Sequence, residues 1–145
     1  MPRGARLLIV AGLVVLGFVG VVLPLFSNAG VPMAEIAGAL PSTATAGKQV
    51  SVDIAVDNVG DSVIGPLCVA MSGPGATLVS ADFQGLETIS AVANRVCGGE
   101  LTGQETISLT LVVRFDTPGS TAVTLVPEQG TTVIGPAFTN TVTVS

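Results

Sequence analysis

The chain has 145 residues, ten of them acidic and five basic, with no His, Trp or Tyr. Lack of His removes the commonest general base and transition-metal ligand. Lack of Trp and Tyr removes the aromatics that usually anchor interfaces or stack on sugars and bases. Beyond residue 30 the only cations are Lys48, Arg95 and Arg114 against all ten acids, a net charge of −7 that should repel nucleic acid.

Met1–Arg6 carries Arg3 and Arg6 and no acid, and reads as a cytoplasmic stub. Leu7–Phe26 follows, twenty residues with no charged and no strongly polar side chain. As a helix this run is about 30 Å long, the thickness of a bilayer's hydrocarbon core. The positive flank predicts a single-pass signal anchor, with the amino end inside and the remainder extracytoplasmic. A cleaved signal peptide would also fit, with Ser27-Asn28-Ala29 before Gly30. The run is longer than the usual signal core of roughly 7–15 residues, which favours retention. No Cys follows it for a lipid anchor, and no Glu near its start suggests a pilin leader. On a helical wheel Ala5, Gly12, Gly17 and Gly20 fall within an arc of about 140°. Gly12, Gly17 and Gly20 are therefore candidate helix-packing residues, although Gly is common in any membrane helix.

Residues 27–46 form a small, apolar tether with room for a first strand at Met33–Leu40. An extracytoplasmic domain is expected over 47–145. In the run after Gly47, Val50, Val52, Ile54 and Val56 alternate with Ser51, Asp53 and Ala55, the period of a half-buried strand. Asn58-Val59-Gly60-Asp61 ends it with turn chemistry. Leu67, Val69 and Met71 alternate with Cys68 and Ala70 before a Gly73-Pro74-Gly75 turn. Strands are predicted at Thr77–Phe83 and Thr88–Val96. At Gln104–Phe115, Ile107, Leu109, Leu111, Val113 and Phe115 face one way, and Thr106, Ser108, Thr110 and Arg114 the other. Thr121–Val126 and Thr139–Val144 complete the set, with Thr131–Ile134 as a further short strand. Seven to eight short strands with Gly/Pro turns and no amphipathic helix predict an all-β, two-sheet antiparallel sandwich.

Cys68 and Cys97 are the only cysteines, and both lie on the exported side, so a disulfide between them is expected. A redox or metal-binding thiol pair lacks the CxxC spacing or a His. Asp53, Asp57 and Asp61 recur every four residues beside Asn58 and invite a calcium reading. The full EF-hand pattern is absent, and an exposed acidic strand face explains them as well. Ser and Thr are plentiful, but no nucleophile has a His base and Lys48 is the only lysine. No catalytic residue, cofactor or metal is assigned.

Gly47, the alternating valines and Val56-Asp57-Asn58-Val59-Gly60 resemble the opening of the Ig-like conserved-repeat domains of bacterial and archaeal surface proteins, whose first strand ends in V-x-N-x-G. Gly73-Pro74-Gly75 with Ala76–Ser80 resembles their next landmark. Cys97, Leu101, Gly103 and the run to Arg114 resemble the central segment, and Thr139–Val144 the closing strand. The resemblance covers about residues 42–145, with an insertion around Pro127–Pro136 and a single copy. It implies an Ig-like sandwich, an extracellular location and a structural role without shared catalytic residues. Two functions follow as expectations: an accessory or structural subunit of a membrane complex, or a surface-filament or envelope subunit that self-assembles through its apolar helix. The partners expected are the lipid bilayer and other membrane subunits or copies of the same chain.

Overall fold

The structure, a computed structural model, describes residues 31–145. The membrane helix expected over Leu7–Phe26, with Gly12, Gly17 and Gly20, lies outside the described residues. Among the described residues no helix is long and apolar enough to cross a membrane.

Among the described residues eleven strands form two sheets. They are β1 (Ala34–Gly38), β2 (Thr43–Ala44), β3 (Gln49–Asn58), β4 (Leu67–Ser72), β5 (Ala76–Gln84), β6 (Thr88–Val92), β7 (Arg95–Gly98), β8 (Thr106–Phe115), β9 (Gly119–Gln129), β10 (Thr132–Val133) and β11 (Phe138–Val144). The smaller sheet has the order β1-β3-β8-β5, and the larger β2-β11-β9-β4-β7-β6, with β10 added on β9. β1 pairs antiparallel with β3 from Ala34↔Asn58 to Gly38↔Ile54, so the sandwich begins with the first strand rather than at Gly47.

The long strands form where alternation is cleanest. β3 and β8 pair over nine positions, and Val52, Ile54 and Val56 stand opposite Leu111, Leu109 and Ile107. All six side chains are buried, as are Val113 and Phe115. Leu67, Val69 and Met71 of β4, Val123 and Leu125 of β9 and Val142 of β11 close the core from the other sheet. Each such side chain contributes roughly 1.5–3 kcal/mol when fully buried.

Three local features depart from the sequence reading. Thr88–Val96, expected as one strand, is a hairpin of β6 and β7. Ala93 (φ 53°) and Asn94 (φ 61°) occupy the left-handed region, as a tight two-residue turn demands. Asn94 holds that turn in place: its Oδ1 accepts from Leu78 N and its carbonyl from Met71 N, at 2.9 and 2.8 Å. In β5 the register shifts between Leu78 and Ser80. The extra residue, Val79, is 39% exposed, and the shift lets Ala76 and Phe83 both reach the core although the even number of residues between them would put them on opposite faces of a regular strand. Finally, the pairing is not wholly antiparallel. β2 runs parallel to β11, with Thr43 beside Thr143, because the chain leaving β1 crosses to the second sheet before β3 begins. The short strand expected at Thr131–Ile134 is β10, and the count rises to eleven through the two-residue β2 and the divided hairpin. β10 and the end of β9 also account for the insertion at Pro127–Pro136.

Candidate functional site

Strand parity determines which side chains leave the core. In β4, Leu67, Val69 and Met71 point inward, so Cys68, Ala70 and Ser72 lie on the outer face of the larger sheet. Cys68 stands directly opposite Cys97 of β7, and the two are bonded, with Cα atoms 4.1 Å apart. The expected disulfide is therefore present, as a cross-strand link on the outside of the sheet. Closing a loop over 29 positions, it contributes roughly 3–4 kcal/mol by restricting the unfolded chain.

Two residues before Cys97, the same parity places Arg95 on this face. It lies opposite Ala70, whose other neighbour is Val126. Arg95 Nε donates to Glu128 Oε1 at 3.0 Å, two positions along β9 from Val126. Among the described residues, Arg95 Nη2 is buried without a hydrogen-bond partner. A buried donor of this kind costs about 1–3 kcal/mol until an acceptor meets it. Arg95, Ser90, Ala93 and Cys97 line a half-open cavity of about 210 Å³. A second hollow of about 170 Å³ lies between the Pro74-Gly75 turn and Thr117–Thr121. The sequence reading did not single out Arg95, Ser90 or Glu128. The signal available was the even spacing from Arg95 to Cys97, which puts both on one face of a strand.

The acids behave differently. Asp53 and Asp57 project from the outer face of the smaller sheet and accept the hydroxyls of Thr110 (2.7 Å) and Thr106 (3.0 Å) across the β3–β8 pair. Asp61 lies past the turn and accepts from Gln104 Nε2 at 3.2 Å. The Asp53, Asp57 and Asp61 spacing thus does not converge on one point. Among the described residues no three His, Cys, Asp or Glu side chains are grouped to hold a metal. Asn58 is a corner post. It is fully buried, and its Nδ2 donates to the carbonyls of Ser62, Leu101 and Thr102 while Oδ1 accepts from Gly60 N. In the turn after Leu101, Thr102 donates its hydroxyl and its backbone N–H to Glu105, and these bonds hold that carboxyl below the usual glutamate range.

No protein-family model matches the sequence, and no curated protein matches it. Solved structures do resemble it in fold. The crystal structure of the CARDB domain of a Pyrococcus furiosus protein, in complex with di-metal ions, superposes with a TM-score of 0.55 at 18% identity, over 81% of this chain and 97% of that one. The described residues share that fold, a two-sheet β-sandwich of Ig-like architecture. A cohesin module from a family 33 glycoside hydrolase of Clostridium perfringens gives 0.52 at 7% identity, over 79% of this chain and 97% of the module. AvmM, which catalyses macrocyclisation in alchivemycin A biosynthesis, gives 0.56 at 9% identity, over 79% and 88%. At these identities the likeness establishes the architecture, which serves unrelated activities in its different hosts.

Proposed function

We propose that this protein is a non-enzymatic, single-pass membrane protein whose Ig-like domain stands on the extracytoplasmic side as an accessory or structural subunit of a membrane complex. The observation that carries the reading is the Cys68–Cys97 bond. Its two cysteines are the chain's only ones, and their pairing suits an oxidising compartment. They follow an apolar run long enough to span a bilayer, with Arg3 and Arg6 on its amino side.

The fold supports a protein-interaction domain, in keeping with the CARDB and cohesin neighbours. No cofactor enters the reading. The three aspartates that recur every four residues are engaged separately, by Thr110, Thr106 and Gln104. The domain's acidity argues against nucleic acid as a partner.

Native purification in mild detergent tests the proposal, comparing the wild type with a variant carrying Gly12→Leu, Gly17→Leu and Gly20→Leu. Leu partitions into lipid better than Gly, so the variant still inserts, while larger side chains push a packed neighbour away. Unlike membrane partners in fixed ratio with the wild type support the subunit reading. Their release from the variant assigns the contact to the helix. Polymers of this chain alone would replace the reading with the filament or envelope subunit, and a protein that purifies without associates overturns both.

A further inference from the structure

The Cys68–Cys97 bond is accessible from one end only. Across the larger sheet the register sets a row of side chains on the outer face in the order Glu128 of β9, Cys68 of β4, Cys97 of β7 and Ser90 of β6. Cys68 has no exposed surface, whereas Cys97 is half-buried. Arg95 of β7 reaches Glu128 of β9, so their ion pair passes over β4, the strand that carries Cys68. At the other end of the bond lies the half-open cavity of about 210 Å³, lined by Ser90, Ala93, Arg95 and Cys97 itself.

We propose that Cys97 Sγ is a site of covalent exchange with a low-molecular-weight thiol. The rate of such exchange depends on which sulfur is attacked and on access to it. Displacement at sulfur is in line: the attacking sulfur, the sulfur attacked and the leaving sulfur share one axis. In the row Cys68, Cys97, Ser90 the leaving sulfur lies on the β4 side and the cavity on the β6 side. A thiolate in the cavity therefore meets Cys97 from the direction that displacement requires. Attack on Cys68 would need approach from the Glu128 side, where the ion pair lies and a carboxylate repels a thiolate. Arg95 is the cation of the cavity lining, and a positive neighbour favours a thiolate over a thiol. The cavity is smaller than the roughly 300–1,000 Å³ of pockets that hold drug-sized ligands, so it suits a thiol of few heavy atoms. In the step itself the thiolate forms an S–S bond to Cys97 Sγ and the Cys97–Cys68 bond breaks. The electron pair of the broken bond leaves on Cys68 Sγ, which takes up a proton from water. One disulfide replaces another, so no further oxidant or reductant enters. Cys68 stays beside the adduct, and its return attack on Cys97 expels the thiol and restores the bond. This chemistry is independent of the assembly reading above.

Brief exposure of the full-length protein to L-cysteine at about pH 8, where part of the reagent is thiolate, tests the proposal. Acid quenching, unfolding, N-ethylmaleimide labelling and peptide mass then locate the adduct. The expected product carries cysteine on Cys97 and maleimide on Cys68. In protein unfolded with guanidinium the two positions should share the adduct equally, which marks the selectivity as a property of the fold. Single-cysteine variants give a second measurement. Cys68→Ser leaves the Cys97 thiol and Cys97→Ser leaves the Cys68 thiol, and each is treated with cystine. Cys97 should be modified about tenfold faster, because buried Cys68 waits for local opening. The melting transition of each variant shows that it is folded. Adducts on Cys68, or equal shares in the folded protein, would overturn the proposal. A folded protein that takes no cysteine at either position, while the unfolded one does, would overturn it as well.

Discussion

Asn58 Nδ2 lies 3.1 Å from the Leu101 carbonyl, joining the end of β3 to a segment 43 residues further along. The same amide holds the carbonyls of Ser62 and Thr102, and all of this happens at a side chain with no exposure. Asn58→Ala leaves these acceptors short of a donor. Each buried polar group so abandoned costs about 1–3 kcal/mol, so the variant should lose about 3 kcal/mol or more in denaturant unfolding. A loss below about 0.5 kcal/mol, the level of a neutral surface change, would show that water replaces the amide without difficulty.

Leu109 and Thr110 are neighbours in β8 on opposite faces. Leu109 is buried between the sheets, while Thr110 reaches outward to Asp53. Leu109→Ala should cost about 2–5 kcal/mol through lost transfer energy and the cavity left behind. Thr110→Ala removes one exposed hydrogen bond and should cost about 0.5 kcal/mol. Equal losses in the two melting curves would contradict the assigned faces.

Cys68 and Cys97 should take up no alkylating reagent in the intact protein unless reductant is added, as read by intact mass. The double variant Cys68→Ala with Cys97→Ala should be less stable by roughly 3–4 kcal/mol from chain entropy. Two alkylated cysteines in the untreated protein would exclude the bond in the cell.

Glu105 supplies a pH test. Its carboxyl is held below the usual glutamate range because the Thr102 hydroxyl, and then the Thr102 backbone N–H, donate to the ionised form. A carboxyl held low in the folded state adds stability above its unfolded pKa, and loses it as pH falls through the folded value. The side-chain chemical shift of Glu105 should therefore move at a lower pH in the wild type than in Thr102→Val. Identical midpoints would mean that the turn contacts do not persist in solution.

Much of this architecture is legible in the residues. Alternation in Val50–Val56 and Ile107–Phe115 marks two strands and their inward faces, because parity within a strand is a local property of the chain. Other features escape such a reading. The β6–β7 turn depends on Ala93 and Asn94 adopting positive φ, and only Asn has any intrinsic tolerance for it. The shift at Val79 breaks the alternation of β5, so no single parity describes that strand. The spacing of Asp53, Asp57 and Asp61 suggested a shared role. The turn at Asn58–Gly60 instead sends Asp61 to Gln104, away from the other two.

Composition and order along the chain therefore determined the all-β class, the partner of each cysteine and the acidity of the domain, since each follows from local periodicity or simple counting. Which strands became neighbours was settled only by tertiary pairing. That pairing placed Arg95 beside Glu128 across 33 residues and set Cys97 between Cys68 and Ser90. The physical reason is that register between strands is chosen by burying both inward faces together, a condition on the whole core that no short stretch of sequence contains.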